Sequence, residues 1–278
     1  MNRARAAEES LRTQFDAAIL TPFREAIRRY GLIRAGDAIA VCISGGKDSM
    51  LLAKLMQMVQ PESPVPFSLR YLIMDPGYND ENRRRVEENA RLLEIPYTIF
   101  ESRIFEVANS QEKNPCFLCA RMRRGHLYAR ARELGCNKIA LGHHFNDVIE
   151  TTLLAMLWGG QMQAMPPKLD AANFPGMSLI RPLYMVREDA IVAWKNANNL
   201  SFIQCACRFT EHCSTCGQGN SKRQEVKLLL KRLRMADPDV EDRLFQSLHR
   251  LRTETFPTDV WPRRAYEDGR ENGDAEKW

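Results

Sequence analysis

The run Ala38-Ile39-Ala40-Val41-Cys42-Ile43, followed at once by Ser44-Gly45-Gly46-Lys47-Asp48-Ser49 and then by Met50-Leu51-Leu52-Ala53-Lys54-Leu55, most constrains this chain. An apolar run without alternation reads as a strand buried on both faces, which is the habit of parallel sheets covered by helices. Small residues then turn the chain, and a helical pattern follows. Such a turn presents backbone N–H groups at a helix N-terminus, where the helix dipole adds positive potential, so phosphate oxygens suit the place. Two glycines permit close backbone approach, Lys47 adds a full positive charge, and Ser44 and Ser49 carry hydroxyl donors. The stretch reads as an ATP site.

Strand and helix signals continue to alternate. Strands are expected at about 38–43, 69–74, 97–100, 138–141 and 178–181, with helices at about 49–60, 80–94, 119–134, 145–158 and 187–198. The expected fold is therefore α/β, a doubly wound parallel five-stranded sheet with an N-terminal helix and a C-terminal helical extension. Ligands of such sheets bind outside the carboxyl ends of the strands. The loop at 44–49, Asp75 after Tyr71-Leu72-Ile73-Met74, and Gly142-His143-His144 after Lys138-Ile139-Ala140-Leu141 all fall there. Residues from about Ala6 to Tyr30 are helical in pattern, with Pro22 as a break and Gly31 as the stop. The stretch from Gly159 to Gly176 lacks periodicity and reads as a long functional loop. These signals divide the chain into an N-terminal helical segment (1–35), an α/β domain (36–200), a cysteine-rich segment with basic helices at about 220–235 and 237–252 (201–256), and a charged, loosely ordered tail (257–278).

With 278 residues, 44% hydrophobic and 27% charged, the composition is that of a globular protein. No apolar run approaches the roughly 20 residues that span a bilayer. The charged N-terminus lacks an apolar signal region, so a cytoplasmic protein without a membrane partner is expected. The net charge of +5 is mild but clustered, at Arg83-Arg84-Arg85, at Arg121, Arg123, Arg124, Arg130 and Arg132, and at Lys222, Arg223, Lys227, Lys231, Arg232 and Arg234. Most basic helices are solvated faces. Two of these clusters follow cysteine motifs, however, and there they suit the phosphate backbone of a nucleic acid, with Arg123 and Arg124 the first candidates and Lys222 and Arg223 next.

Eight cysteines without an export signal favour metal or redox chemistry over a disulfide scaffold. Cys42 in the first strand and Cys136 near a helix end read as small buried hydrophobes. Cys116-Phe117-Leu118-Cys119 and Cys213-Ser214-Thr215-Cys216 are C-x-x-C pairs, and Cys205 and Cys207 add two more thiols. Two such pairs fit a structural zinc site, an iron–sulfur centre or, less readily, a redox dithiol.

The Ser44–Ser49 loop lacks the spacer of the mononucleotide P-loop, G-x-x-x-x-G-K-S/T. It resembles instead the SGGxDS loop of the PP-loop ATP pyrophosphatases. Taken with Pro115-Cys116-Phe117-Leu118-Cys119 and the following Arg121-Met122-Arg123-Arg124-Gly125, Leu141-Gly142-His143-His144 with Asp147, Trp158-Gly159-Gly160-Gln161-Met162, Met165-Pro166-Pro167-Lys168-Leu169, Ile180-Arg181-Pro182-Leu183 with Arg187-Glu188, and Cys216-Gly217 with Arg223-Gln224, the chain is similar to the tRNA 2-thiocytidine biosynthesis family of that superfamily. The resemblance implies an ATP-dependent tRNA sulfurtransferase. ATP would adenylate the C2 oxygen of a pyrimidine, most naturally a cytidine of the anticodon loop, and sulfide carried on the open iron of a three-cysteine 4Fe–4S cluster would expel AMP. Cys116 and Cys119 match two of its ligands and Cys216 the third, with Cys213, Cys205 and Cys207 as rivals, because Ala206 to His212 look inserted. Lys47, Asp48 and Asp147 would be the catalytic group, Asp48 and Asp147 holding Mg²⁺. Ser44, Gly45, Gly46, Lys47, Asp48, Ser49, Asp75, Gly142 and His143 would line the nucleotide. Asp147 as a helix cap and Asp75 as a turn residue are the plainer alternatives. The implied partners are tRNA and a sulfur donor, a cysteine desulfurase or sulfide; a homodimer stays open. A 2-thiouridine synthase, a PP-loop ligase and a zinc-stabilised RNA-binding or redox-sensing protein are the competing readings.

Overall fold

The computed structural model describes residues 2–102, 104, 115–203, 222–252 and 255, with residues 115–120 described by backbone alone. Its centre is the strand that the apolar run announced. β1 (Ala38–Ile43) pairs in parallel with β2 (Ser68–Asp75) on one side and β4 (Lys138–Ala140) on the other. β3 (Thr98–Glu101) extends the sheet beyond β2, and β6 (Ser178–Ile180) pairs in parallel with β4. Alternate residues of β1 feed two different cores, as the period of two in a strand requires. Ile39, Val41 and Ile43 join the layer that holds α3 (Lys47–Val59) and α4 (Asp80–Leu92). Ala40 and Cys42 join the opposite layer with Leu127, Tyr128 and Ala131 of α5 (Pro115–Glu133).

The expected five-stranded sheet needs one correction. The order is β3-β2-β1-β4-β6-β5, six strands, and β5 (Lys168–Asp170) runs antiparallel to β6 in register Lys168↔Ile180, Leu169↔Leu179, Asp170↔Ser178. The stretch 159–176, read as an unbroken loop, therefore carries an edge strand. Three residues cannot display a period of two, and β5 is half-exposed, so nothing local announces it.

The N-terminal helices complete the first layer. α1 (Arg3–Arg12) starts at Asn2, whose side chain accepts from the Ala4 amide, and its buried face joins the same core. A five-residue π-helical turn (Asp16–Leu20) then leads into α2 (Thr21–Arg29). Pro22 lies in the first turn of α2, where a missing N–H costs nothing. α7 (Glu188–Ala197) buries Trp194, whose indole donates to the Ala7 carbonyl at 3.3 Å and so ties α1 to the domain. A third apolar cluster joins Phe145, Val148 and Ile149 of α6 (Phe145–Gly159) to Val226 and Leu230 of α8 (Lys222–Ala236) and to Phe245 of α9 (Val240–Ser247).

At the amino edge of the sheet, Lys138 and Asp37 form a buried ion pair of 2.5 Å. Asn137 donates to Asp37 at 3.0 Å, and Lys138 also donates to the Leu32 carbonyl. Burial opposes ionisation of Asp37, but Lys138, the Arg34 amide and Asn137 outweigh it and hold its pKa below the usual range. Cys42 and Cys136 are buried free thiols, as expected. The expected tail from 257 lies outside the described residues. Among those described, no helix is long and apolar enough to cross a membrane.

Candidate active site at the strand crossover

From β1 the chain moves outward through β2 and β3, then returns to place β4 on the other side of β1. The crevice of such a sheet opens at this change of direction. The Ser44–Ser49 loop leaves β1 there, and Leu141–His144 leaves β4 beside it. Gly142 makes their approach possible: a Cβ on it would stand 3.0 Å from the Ser49 amide nitrogen and 3.1 Å from the Asp48 carbonyl carbon, both backbone atoms. Gly45 is required twice over. Its φ is +84°, and a Cβ would meet Val86 at 2.4 Å and Ile203 at 2.7 Å.

Within the loop, Ser49 Oγ donates to the Gly46 carbonyl at 3.0 Å and accepts from the Ser44 amide and hydroxyl, each at 3.1 Å. Ser49 thus shapes the turn, and its proton is committed. Gly46 caps α3 without a side chain, so no side-chain oxygen occupies the amides of the first turn. These amides, with Lys47, form a cradle for phosphate oxygens. Lys47 Nζ lies 2.9 Å from Glu188 and 3.1 Å from Asp48. Burial opposes its charge, yet the two carboxylates raise its pKa. Asp48 Oδ1 is shielded and accepts no hydrogen bond, although Lys47 Nζ and His144 Nε2 stand 3.1 and 3.8 Å away.

His144 and Asp147 cap α6 reciprocally. The His144 amide donates to Asp147 Oδ2 at 3.1 Å, and the Asp147 amide donates to His144 Nδ1 at 3.4 Å. With Nδ1 accepting, the ring proton resides on Nε2, which faces Asp147 at 3.5 Å and Asp48 at 3.8 Å. One buried imidazole therefore spans the two carboxylates that the sequence singled out. Asp147 also meets Arg223 at 3.4 Å. Burial opposes its ionisation, but His144, His143 and Arg223 prevail and lower its pKa. Among the described residues no group of three or more His, Cys, Asp or Glu side chains is arranged to hold a metal ion. Two carboxylates beside a phosphate cradle leave the remaining coordination to phosphate and water, which is how Mg²⁺ is commonly bound.

His143 makes no hydrogen bond to this pair, although it and Asp147 interact electrostatically. Its Nδ1 is shielded without a partner, and burial, opposed by Asp147, lowers its pKa to about 4. Asp75 serves its own turn: Oδ1 accepts from the Gly77 and Tyr78 amides at 2.8 and 2.7 Å, and Arg83 lies 3.3 Å from Oδ2. The turn places the Tyr78 hydroxyl, which donates to the Ser44 carbonyl at 3.1 Å, so Asp75 reaches the phosphate loop through Tyr78.

The basic helix α8 faces inward more than its composition suggested. Arg223 pairs with buried Glu150 at 3.1 Å, and Lys227 pairs with Glu188 at 3.3 Å and Glu150 at 3.7 Å. Lys222 pairs with Glu225 at 2.9 Å and lies over the Trp158 ring at 5.2 Å. On α5, Arg123 and Arg124 are half-buried, and Arg121 is exposed. Cys116 and Cys119 fall in the first turn of α5; Cys205, Cys207, Cys213 and Cys216 lie outside the described residues. Glu188, Glu150 and Tyr78 join the site without having been singled out for a role in it, and His144 joins it beside the two carboxylates. Only His144 had a local signal, a polar side chain three residues ahead of an acidic one at a helix start.

A family model described as a PP-loop domain matches residues 12–207. A tRNA-cytidine(32) 2-sulfurtransferase from Anaeromyxobacter dehalogenans is 35% identical over 239 residues, covering 84% of this chain and 79% of its own length. Those of Cupriavidus taiwanensis (35% over 246 residues, 84% of this chain and 76% of its own) and Citrifermentans bemidjiense (34% over 229 residues, 81% and 86%) are comparable. Among solved structures, the U34-tRNA thiolase NcsA from Methanococcus maripaludis, determined with its 4Fe–4S cluster, superposes with a TM-score of 0.65 at 21% identity over 86% of this chain and 80% of its own, a likeness of fold.

Proposed function

The chain belongs to the PP-loop domain family and, within it, to the tRNA-cytidine(32) 2-sulfurtransferases, and from that membership we propose that it uses ATP to replace the C2 oxygen of a tRNA cytidine, at position 32, with sulfur. The observation that carries this reading is the meeting of the Gly45–Gly46 cradle, Lys47 and the His144-bridged pair Asp48 and Asp147 at one crossover, which is an apparatus for activating an oxygen with a nucleotide.

The amides at the start of α3 and Lys47 hold the β- and γ-phosphates and take up charge as pyrophosphate departs. Lys47 is kept charged for this by Glu188 and Asp48, which the phosphates replace as its partners. Asp48 and Asp147 would hold Mg²⁺, which would neutralise charge on the phosphates, and His144 Nε2 lies between the two carboxylates at 3.8 and 3.5 Å. The cytidine oxygen has no proton to lose, so its attack on the α-phosphorus needs positioning and charge stabilisation rather than a base. The target base must leave any stack to reach a crevice of this kind, as bases in single-stranded loops can. Arg123 and Arg124 on α5, and Lys222 at the edge of α8, are the candidates for tRNA phosphates; Arg223 is paired with Asp147 and Glu150 and acts on tRNA through the position of α8.

Cys116, Cys119 and a third cysteine, Cys216 first and Cys213, Cys205 or Cys207 otherwise, would hold a 4Fe–4S cluster. A C-x-x-C pair on one helical turn is a donor set that fits it. When bound, the cluster supplies the sulfur nucleophile, replenished by a cysteine desulfurase or by sulfide. Nucleoside mass spectrometry of tRNA from a deletion strain tests the function. 2-Thiocytidine is expected to vanish and to return with the wild-type gene but not with Lys47→Ala or Asp147→Ala. Its persistence in the deletion strain, or loss of 2-thiouridine instead, overturns the reading.

A further inference from the structure

Arg181 leaves the carboxyl end of β6, one strand beyond β4 and on the far side of it from the phosphate loop. With strands spaced at about 4.8 Å, the ends of β1 and β6 lie roughly 10 Å apart. Arg181 is only 5% exposed, yet among the described residues no carboxylate stands within ion-pair distance of it. Its amide donates to the Pro167 carbonyl at 2.9 Å, and Nη1 donates to the Pro166 carbonyl. Nε is shielded and has no acceptor. Burial works against the charge, lowering the pKa to about 10, and Arg124 adds repulsion; the nearby Tyr184, Tyr128 and Asp147 favour the charge without pairing with it. Next to it, the Nδ1 of His143 is likewise shielded and unpartnered.

A buried guanidinium without an anion is a costly arrangement in a folded chain. It becomes favourable if an anionic group occupies the place during function. Lys47 and the α3 amides are the natural partners of the β- and γ-phosphates, and Arg181 lies across β4 from them, so it serves a group that stays behind when pyrophosphate has left. We propose that Arg181, with Arg124 as a second charge, is the subsite for the adenylyl phosphate, the phosphodiester that joins AMP to the activated pyrimidine. The proposal rests on the thiolation reading above.

The chemistry gives such a subsite a purpose at both steps. The C2 oxygen attacks the α-phosphorus, the bond to the bridging oxygen of the β-phosphate breaks, and pyrophosphate departs with that electron pair. The sulfur nucleophile then adds at C2, the C2–O bond breaks, and AMP departs with its electron pair. The adenylyl phosphate carries one negative charge after the first step and gains another in the second. A cation already in place stabilises the charge that grows on the leaving group.

Calorimetric titration of AMP and of pyrophosphate into the full-length, anaerobically purified protein tests this. Arg181→Met is expected to weaken AMP at least ~10-fold, Arg181→Lys to restore most of that, and pyrophosphate to bind all three proteins alike, within about twofold. Unchanged AMP affinity in Arg181→Met, or a parallel loss for pyrophosphate, overturns the proposal. If Arg181→Met melts below the assay temperature, Arg124→Met carries the same test from a half-buried position. It should weaken AMP about threefold and spare pyrophosphate, and no change there overturns the proposal equally. The titrations contain no tRNA, so an absence of thiolated cytidine in cells would bear on the function alone.

Discussion

Gly142→Ala tests whether the close approach of the β4 end to the phosphate loop is what shapes the cradle. The added methyl would lie 3.0 to 3.1 Å from Ser49 N, Asp48 C and Ser49 Cα, where ordinary contact begins at 3.4 Å. All three atoms are backbone, so no side chain can rotate away. Either the loop or the end of β4 must shift by a few tenths of an ångström. Overpacking of this kind costs about 1–3 kcal/mol. For a chain of this size that corresponds to a fall of about 2–5 °C in Tm. The amides of the displaced loop are the proposed phosphate donors, and misaligning two or three charge-assisted hydrogen bonds costs a further ~1–2 kcal/mol in binding. ATP affinity should therefore fall about 5- to 30-fold. Thermal melting and calorimetric titration with a non-hydrolysable ATP analogue measure the two effects separately. Gly159→Ala is the control, because nothing lies within 4 Å of its added methyl and its φ is unexceptional. The reasoning is refuted if Gly142→Ala binds the analogue like the wild type, or if Gly159→Ala loses as much.

Other predictions are more direct. Glu188→Gln removes a competitor for Lys47, so the ATP analogue should bind about 3- to 10-fold tighter by titration; weaker binding would mean that Glu188 positions Lys47 rather than holding it in reserve. Asp37→Asn strips a buried lysine of its counter-charge and should cost about 3–5 kcal/mol in chemical denaturation, without altering nucleotide affinity in the protein that remains folded. The folded chain keeps His143 neutral down to about pH 4, while the unfolded chain protonates it near 6.5. The unfolded state therefore binds more protons in that window, and stability rises with pH across it. The partial exposure of His143 trims the effect to on the order of 2 kcal/mol, lost between pH 6.5 and 4, and His143→Gln should flatten that slope in denaturant titrations. Finally, Cys116→Ala and Cys216→Ala should each abolish the brown charge-transfer absorbance of anaerobically purified protein, whereas Cys207→Ala should leave it; stoichiometric zinc with no iron in the wild type would remove the cluster altogether.

The sheet was legible wherever burial on both faces wrote an apolar run into the sequence, as at Ala38–Ile43 and Ser68–Asp75. It was illegible at Lys168–Asp170, a strand of three residues that exists because β6 offers it an edge. The phosphate loop was legible because its glycines, lysine and serines are contiguous. Glu188 was not, because 141 residues separate it from Lys47 and only the fold brings them together. The cationic pattern of α8 looked the same whether it met water, RNA or protein. Its orientation depends on Glu150 and Glu188, which approach from α6 and α7. Adjacent histidines look alike in the sequence, whereas in the fold His144 caps α6 and reaches both carboxylates while the Nδ1 of His143 is shielded without a partner.

The clamp on α8 has a consequence for the cysteines that precede it. Ile203 is buried close to Gly45, and Lys222 lies over the Trp158 ring, so the described residues that flank 204–221 are both held by tertiary contacts. A segment with both ends held has already lost much of the freedom that closing a metal site would otherwise remove. Lengthening it costs little, about 0.6 kcal/mol for each doubling. Residues can therefore be added between two such anchors at small cost while the anchors hold their places.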